Sequence, residues 1–197
     1  MGAVGQLKGR ADDEINVALT LNPLAVGLVA ELGCNAYYGR EYERAVDRFE
    51  RALAMKADDT LSLWGMGKSL AQLKRYSEAI ETLSRVPLVM GNYPPIILGE
   101  LGYAKARAGD VAGARAALKS LRQMSSTIYV DPFFLAVIHR GLDDRNATME
   151  ALNEAYRIRS TLLVSILSDP KWDGLESDPR FVRLRARVSI GQQSGEH

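Results

Sequence analysis

LGCNAYYGREYERAVDRFERA, residues 32–52, decides how this chain is read. Small and bulky side chains alternate along it as two packed antiparallel helices require, small where the backbones approach and large where space must be filled. Gly39-Arg40 marks the turn between them. Shifted forward by 34 positions, Gly33 falls on Gly67, Tyr42 on Tyr76, Ala45 on Ala79 and Ala52 on Val86. A helical hairpin recurring at that period predicts an all-α solenoid, in which each pair buries its apolar face against its neighbours.

Working outward, the spacing predicts helices over 24–38 and 42–55, then over 61–73 and 76–85 after the cap residues Asp58-Asp59-Thr60. Val86-Pro87 and Gly91-Asn92 interrupt the pattern with a loop longer than the repeat needs. Pro94-Pro95 opens a third pair, over 95–108 and 111–124, turning at Gly109-Asp110. A fainter fourth begins at Asp131-Pro132, an N-cap followed by a first-turn proline. In it Leu101 maps to Leu135, Gly102 to Ala136, Leu118 to Leu152 and Leu121 to Ala155. Its turn, Gly141-Leu142-Asp143-Asp144, reads as scrambled relative to Gly109-Asp110. Upstream, Ala11, Ile15 and Ala18 precede Ala45, Phe49 and Ala52 by the same 34, so residues 8–21 read as the second helix of a repeat lacking its first. The repeats are thus set at about 26–59, 60–93, 95–128 and 129–157. Residues 158–190 form a C-terminal cap with a short apolar helix over 161–167, capped prolines at Asp169-Pro170 and Asp178-Pro179, and Trp172, Leu175 and Phe181 as plugs. The half repeat suggests a fragment of a longer chain, or a homodimer through the uncovered N-terminal helix.

The period and residue types, L-G…Y…A…F…A, resemble the tetratricopeptide repeat (TPR), which implies a right-handed α-solenoid. A narrower resemblance rests on LGYAKARAGDVAGARAALKSL, YVDPFFLAVI and DPKWDGLESDPRF, with Ser177–Phe181 the most distinctive part. These are similar to the C-terminal repeats of bacterial multidomain signalling and regulatory proteins. There, such repeats follow a winged-helix DNA-binding domain, a kinase or a nucleotidyl cyclase.

Composition narrows the function classes. Twenty-five Lys and Arg against 24 Asp and Glu leave a net charge of +1, which gives no general pull toward nucleic acid or an anionic membrane. No run approaches the roughly 18 apolar residues of a membrane helix. The lone Cys34 forms no internal disulfide and fits a reducing, cytoplasmic setting. The histidines are His139 and His197 only, and no spacing suggests a metal site, a cofactor or an acid–base pair, so no enzyme is expected. Gly67-Lys68-Ser69 echoes the end of a phosphate loop. Ser62 stands where the opening glycine belongs, and a helix has no free backbone N–H groups to cradle phosphate.

In a TPR array the first helix of each pair lines an inner groove. The resemblance therefore places Ala30, Cys34, Tyr37 and Tyr38 there from the first repeat and Trp64, Lys68 and Gln72 from the second. Tyr103 and Arg107 follow from the third, Phe133 and Arg140 from the fourth. Aromatic and arginine side chains together are what binding hot spots favour. The partner-binding set is Tyr37, Tyr38, Trp64, Lys68, Tyr103, Arg107, Phe133 and Arg140. TPRs that clamp a terminal carboxylate use lysine and asparagine where this chain has Ala30 and Cys34, so a clamp of that kind is not expected. Arg180, Arg183 and Arg187 read as a solvated stripe. The function expected is a non-catalytic scaffold for a protein or peptide partner, with no direct nucleic-acid or membrane contact. The alternative is a sensor that binds a small ligand and controls an effector.

Overall fold

The computed structural model describes residues 25–88 and 91–193, with Asp13, Ile15, Val17, Thr20, Leu21 and Asn22 singly. Side chains are described up to Ile190. The half repeat over 8–21 and His197 thus lie wholly or largely outside the described residues, as does dimerisation through that first helix. The chain divides into two compact units, 1–87 and 88–197, and the boundary falls in the interrupting loop.

Unit 1 holds two helix pairs, α1 (Val26–Tyr38) with α2 (Tyr42–Met55) and α3 (Thr60–Gln72) with α4 (Tyr76–Ser84). Unit 2 holds α5 (Pro95–Arg107) with α6 (Val111–Met124) and α7 (Pro132–Gly141) with α8 (Arg145–Arg157). Two 3₁₀ segments follow, Thr161–Leu167 and Pro170–Trp172, then α9 (Pro179–Gln193). The described residues are all-α, in stacked antiparallel pairs as a TPR solenoid requires. Within each unit the two first helices lie side by side, α1 on α3 and α5 on α7.

Glycine is what lets the helices approach. The ring of Phe49, fully buried on α2, fills the space in front of Gly33 on α1 and Gly65 on α3. A Cβ on those glycines would lie 2.7 Å and 2.2 Å from it. The repeat reuses the device: Gly67 faces Leu83 at 2.5 Å and Gly102 faces Ile138 at 2.6 Å. Around Phe49 the core closes with Val29, Ala30, Ala36, Tyr37, Ala45 and Ala52.

Each hairpin turns on one residue in the left-handed region. These are Arg40 (φ 64°), Lys74 (φ 61°), Gly109 (φ 88°) and Asp143 (φ 57°), spaced 34, 35 and 34 apart. The fourth turn is therefore in register after all: Asp143 stands in the place of Gly109, and Asp144 caps α8 as Asp110 caps α6. Left-handed backbone costs a residue with a Cβ about 1–2 kcal/mol, and glycine escapes it. Lys74, exposed and without a side-chain bond among the described residues, is the place to show this. Lys74→Gly is expected to stabilise unit 1 by about 0.5–1 kcal/mol, read as a rise in the urea midpoint at unchanged slope. A fall would mean that the lysine side chain matters more than its strained backbone.

Capping follows the aspartates. Asp59, Asp110, Asp131 and Asp144 accept hydrogen bonds from Ser62, Gly113, Phe133 and Ala147 backbone N–H groups. The expected short helix over 161–167 is a 3₁₀ run, opened by the Ser160 hydroxyl, which accepts from Leu162 N–H and donates to Asp131. Beyond it Asp169 caps Lys171 and Asp178 caps Arg180. The Arg180 guanidinium folds back on Asp178, whose carboxyl is held down at about 2 by that charge-assisted bond. Arg180 also donates to Asn146, so it ties α9 to α8 while remaining, like Arg183 and Arg187, exposed. Trp172, Leu175 and Phe181 are buried, at 1–2 % exposure.

Candidate functional site

In unit 1 the first helices bring four of the expected residues together. Lys68, on α3, is only 4 % exposed, an unusual position for an ammonium. Its Nζ lies 4.4 Å from the centre of the Tyr37 ring, 4.5 Å from Trp64 and 5.4 Å from Tyr38. Tyr37 and Tyr38 meet edge to face, with centroids 5.2 Å apart. Adjacent tyrosines on α1 therefore wrap one side of the lysine, while Trp64, one turn earlier on α3, covers another. Ring quadrupoles replace part of the water a buried cation loses, and such a contact is worth about 2 kcal/mol when desolvated. Cys34 is half-buried beside them, and burial pushes its thiol pKa up, with the Lys68 charge opposing, so it stays protonated and poorly nucleophilic. Two donors on α3 are left over: Trp64 Nε1 and Gln72 Nε2 are buried without a hydrogen-bond partner among the described residues. Tyr38, by contrast, is 43 % exposed and forms the outer edge.

The phosphate-loop echo disappears in this setting. Gly67, Lys68 and Ser69 sit in the middle of α3, and the Ser69 hydroxyl donates to the Gly65 carbonyl.

In unit 2 three of the corresponding residues, Tyr103, Phe133 and Arg140, also converge, but on the chain's own C-terminal segment. Arg140 donates from Nε to the Lys171 carbonyl at 3.1 Å and from Nη2 to the Asp173 carbonyl at 2.8 Å. Phe133 packs edge-on against Trp172, with centroids 5.4 Å apart. Tyr103 lies under the Lys171 ammonium at 5.2 Å, and that ammonium is paired with the buried carboxylate of Glu100. Arg107 and Arg140 share Asp143, at 2.9 and 3.1 Å. Glu100 and Lys171 were not singled out from the sequence. The capped proline at Asp169-Pro170 and the plug at Trp172 signalled that this segment docks, but nothing in the pattern showed where.

The sequence model of the tetratricopeptide repeat family matches residues 31–95, from within α1 to the end of α4 and just beyond. That part of the chain carries tetratricopeptide repeats. Tetratricopeptide repeats are in general non-catalytic scaffolds for protein interaction. Over 74 residues the chain is 36% identical to the chloroplastic PsbB mRNA maturation factor Mbb1 of Chlamydomonas reinhardtii. That match takes in 38% of this chain and 11% of the relative, so the chain spans about a tenth of the protein it resembles. No described helix is long and apolar enough to cross a membrane.

Proposed function

We propose that unit 1 is a peptide-docking face, read by Tyr37, Tyr38, Trp64 and Lys68, and that the chain works as an interaction arm of a regulatory assembly. The observation that carries this is the Lys68 cluster: a buried ammonium among three rings, with two unpartnered N–H donors on the same helix. A partner segment laid along α1 and α3 would bring backbone carbonyls for Trp64 Nε1 and Gln72 Nε2 and apolar side chains for the rings. Aromatic side chains give such a contact large area at small rotamer cost. Tyr103, Phe133 and Arg140 serve the chain itself, by holding the segment over 170–173, and Arg107 pairs with Asp143.

Fluorescence anisotropy with a library of acidic and apolar peptides tests the reading on the full chain. Tyr38→Ala, which removes the exposed edge, and Trp64→Phe, which removes the indole donor and part of the ring area, are each expected to weaken the best peptide about tenfold, roughly 1.4 kcal/mol. Helicity and melting should barely change. Full binding by both variants, or equal loss on Arg107→Ala, would move the docking face elsewhere.

A further inference from the structure

We propose that unit 2 carries a separate site, an open cleft along α6 that binds a small organophosphate of the size of a nucleoside diphosphate. The cleft has a volume of about 530 Å³ and is lined by Arg115, Leu118, Lys119, Arg122, Gln123 and His139. Arg115, Lys119 and Arg122 stand at i, i+4 and i+7 of α6 and so share one face. All three are exposed, and among the described residues none of their side chains makes an ion pair or a hydrogen bond. Arg44, Arg75, Arg107, Arg157 and Arg180, by contrast, each hold a carboxylate. Three like charges within two helical turns repel one another, and a bound polyanion relieves that repulsion.

His139 supplies the second observation. Its Nδ1 is buried and has no hydrogen-bond partner among the described residues. An N–H there would be stranded, so the ring proton belongs on Nε2, which leaves that nitrogen as a donor for a ligand. Burial also lowers the imidazole pKa; Asp144 opposes, Arg122 adds to it and Glu150 opposes. The ring is therefore neutral at pH 7 and recognises by hydrogen bonding, while the three cations supply the charge. Leu118, at 7 % exposure, gives the cleft an apolar floor on which a flat ring can lie.

The ligand's size follows from the same residues. The cationic stripe spans seven residues of helix, about 10 Å, which suits two or three linked phosphoryl groups. The cleft volume lies within the roughly 300–1,000 Å³ usual for small-molecule sites. A nucleic-acid strand would need a longer basic track, and the chain's net charge of +1 does not supply one.

Isothermal titration of the full chain with ADP, at 50 and 150 mM salt, tests the assignment. Saturable one-to-one binding is expected, displaced by inorganic pyrophosphate and weakened at least tenfold in Arg115→Gln/Arg122→Gln. Both positions are exposed, so circular dichroism of the variant should match the parent. His139→Phe should weaken ADP more than it weakens pyrophosphate, because the imidazole and Leu118 meet the organic end, whereas Lys119→Ala should weaken both. The assignment is overturned by absence of saturable heat, by ADP binding indifferent to the double substitution, or by failure of pyrophosphate to compete. Tighter binding of a single-stranded oligonucleotide than of ADP would also overturn it, because the cleft would then be part of a strand-binding surface.

Discussion

Replacing Lys171 by methionine is expected to cost unit 2 about 3–5 kcal/mol of stability, the usual penalty when one partner of a buried ion pair is removed. Lys171 and Glu100 have side chains only 3% and 8% exposed, so water cannot reach in to solvate the carboxylate left behind. Methionine keeps the length of the lysine stem, which isolates the charge from the packing. The damage should be largely repaired by adding Glu100→Leu, since a matched apolar pair is often as stable as the ions it replaces. Urea unfolding followed by tryptophan fluorescence reads both effects, and the coupling between the two substitutions is the quantity to extract. If the single and double variants lose the same amount, Glu100 is solvated in solution and the segment over 170–173 is not seated as described.

Phe49→Ala is expected to lower the stability of unit 1 by about 3–5 kcal/mol, at the upper end for a buried aromatic. The cost is high because the cavity cannot collapse. Its walls are Gly33 and Gly65, which have no side chain to turn inward, and the helices are already as close as the repeat allows. The converse change, Gly65→Ala, should also destabilise, because the added Cβ would meet the Phe49 ring at 2.2 Å while that ring is fully enclosed. Combined as Phe49→Leu/Gly65→Ala, the two should cost clearly less than their sum. Strict additivity, measured in the same denaturation series, would show that ring and glycine do not share one space.

Much of this architecture was legible because the repeat states it several times over. The 34-residue shift placed α2 and α6 to the residue, and Asp131-Pro132 placed the start of α7. The fourth turn looked scrambled for a physical reason. A left-handed position announces itself through glycine, and at Asp143 aspartate, a residue that tolerates that backbone, takes the place. The 3₁₀ run over 161–167 was likewise out of reach, since a short apolar stretch reads the same in either helix type. For the site, register brought Tyr37, Tyr38, Trp64 and Lys68 to one face, because periodicity fixes which side of a helix a residue occupies. It could not show that Tyr103, Phe133 and Arg140 close on residues 171–173. That contact spans 30 to 70 residues and depends on how the chain bends back after the last pair. The cleft beside His139 is illegible for a related reason: its cations lie on the second helix of their pair, outside the groove that the repeat pattern marks.

The seating of that returning segment also sets the order of events in unit 2. In a stack of repeats each pair touches only its neighbours, so folding can start anywhere and the ends open first. Here Lys171 reaches α5 and Arg140 of α7 grips the backbone at Lys171 and Asp173, so the last piece to arrive is bonded to elements laid down long before it. Closing that long loop is slow relative to forming any one hairpin. Once closed, it converts a row of loosely dependent pairs into a ring of contacts that opens as one. The amides of α5 should then exchange with solvent on the same clock as those of α7, and loosening the segment over 170–173 should set both running faster together.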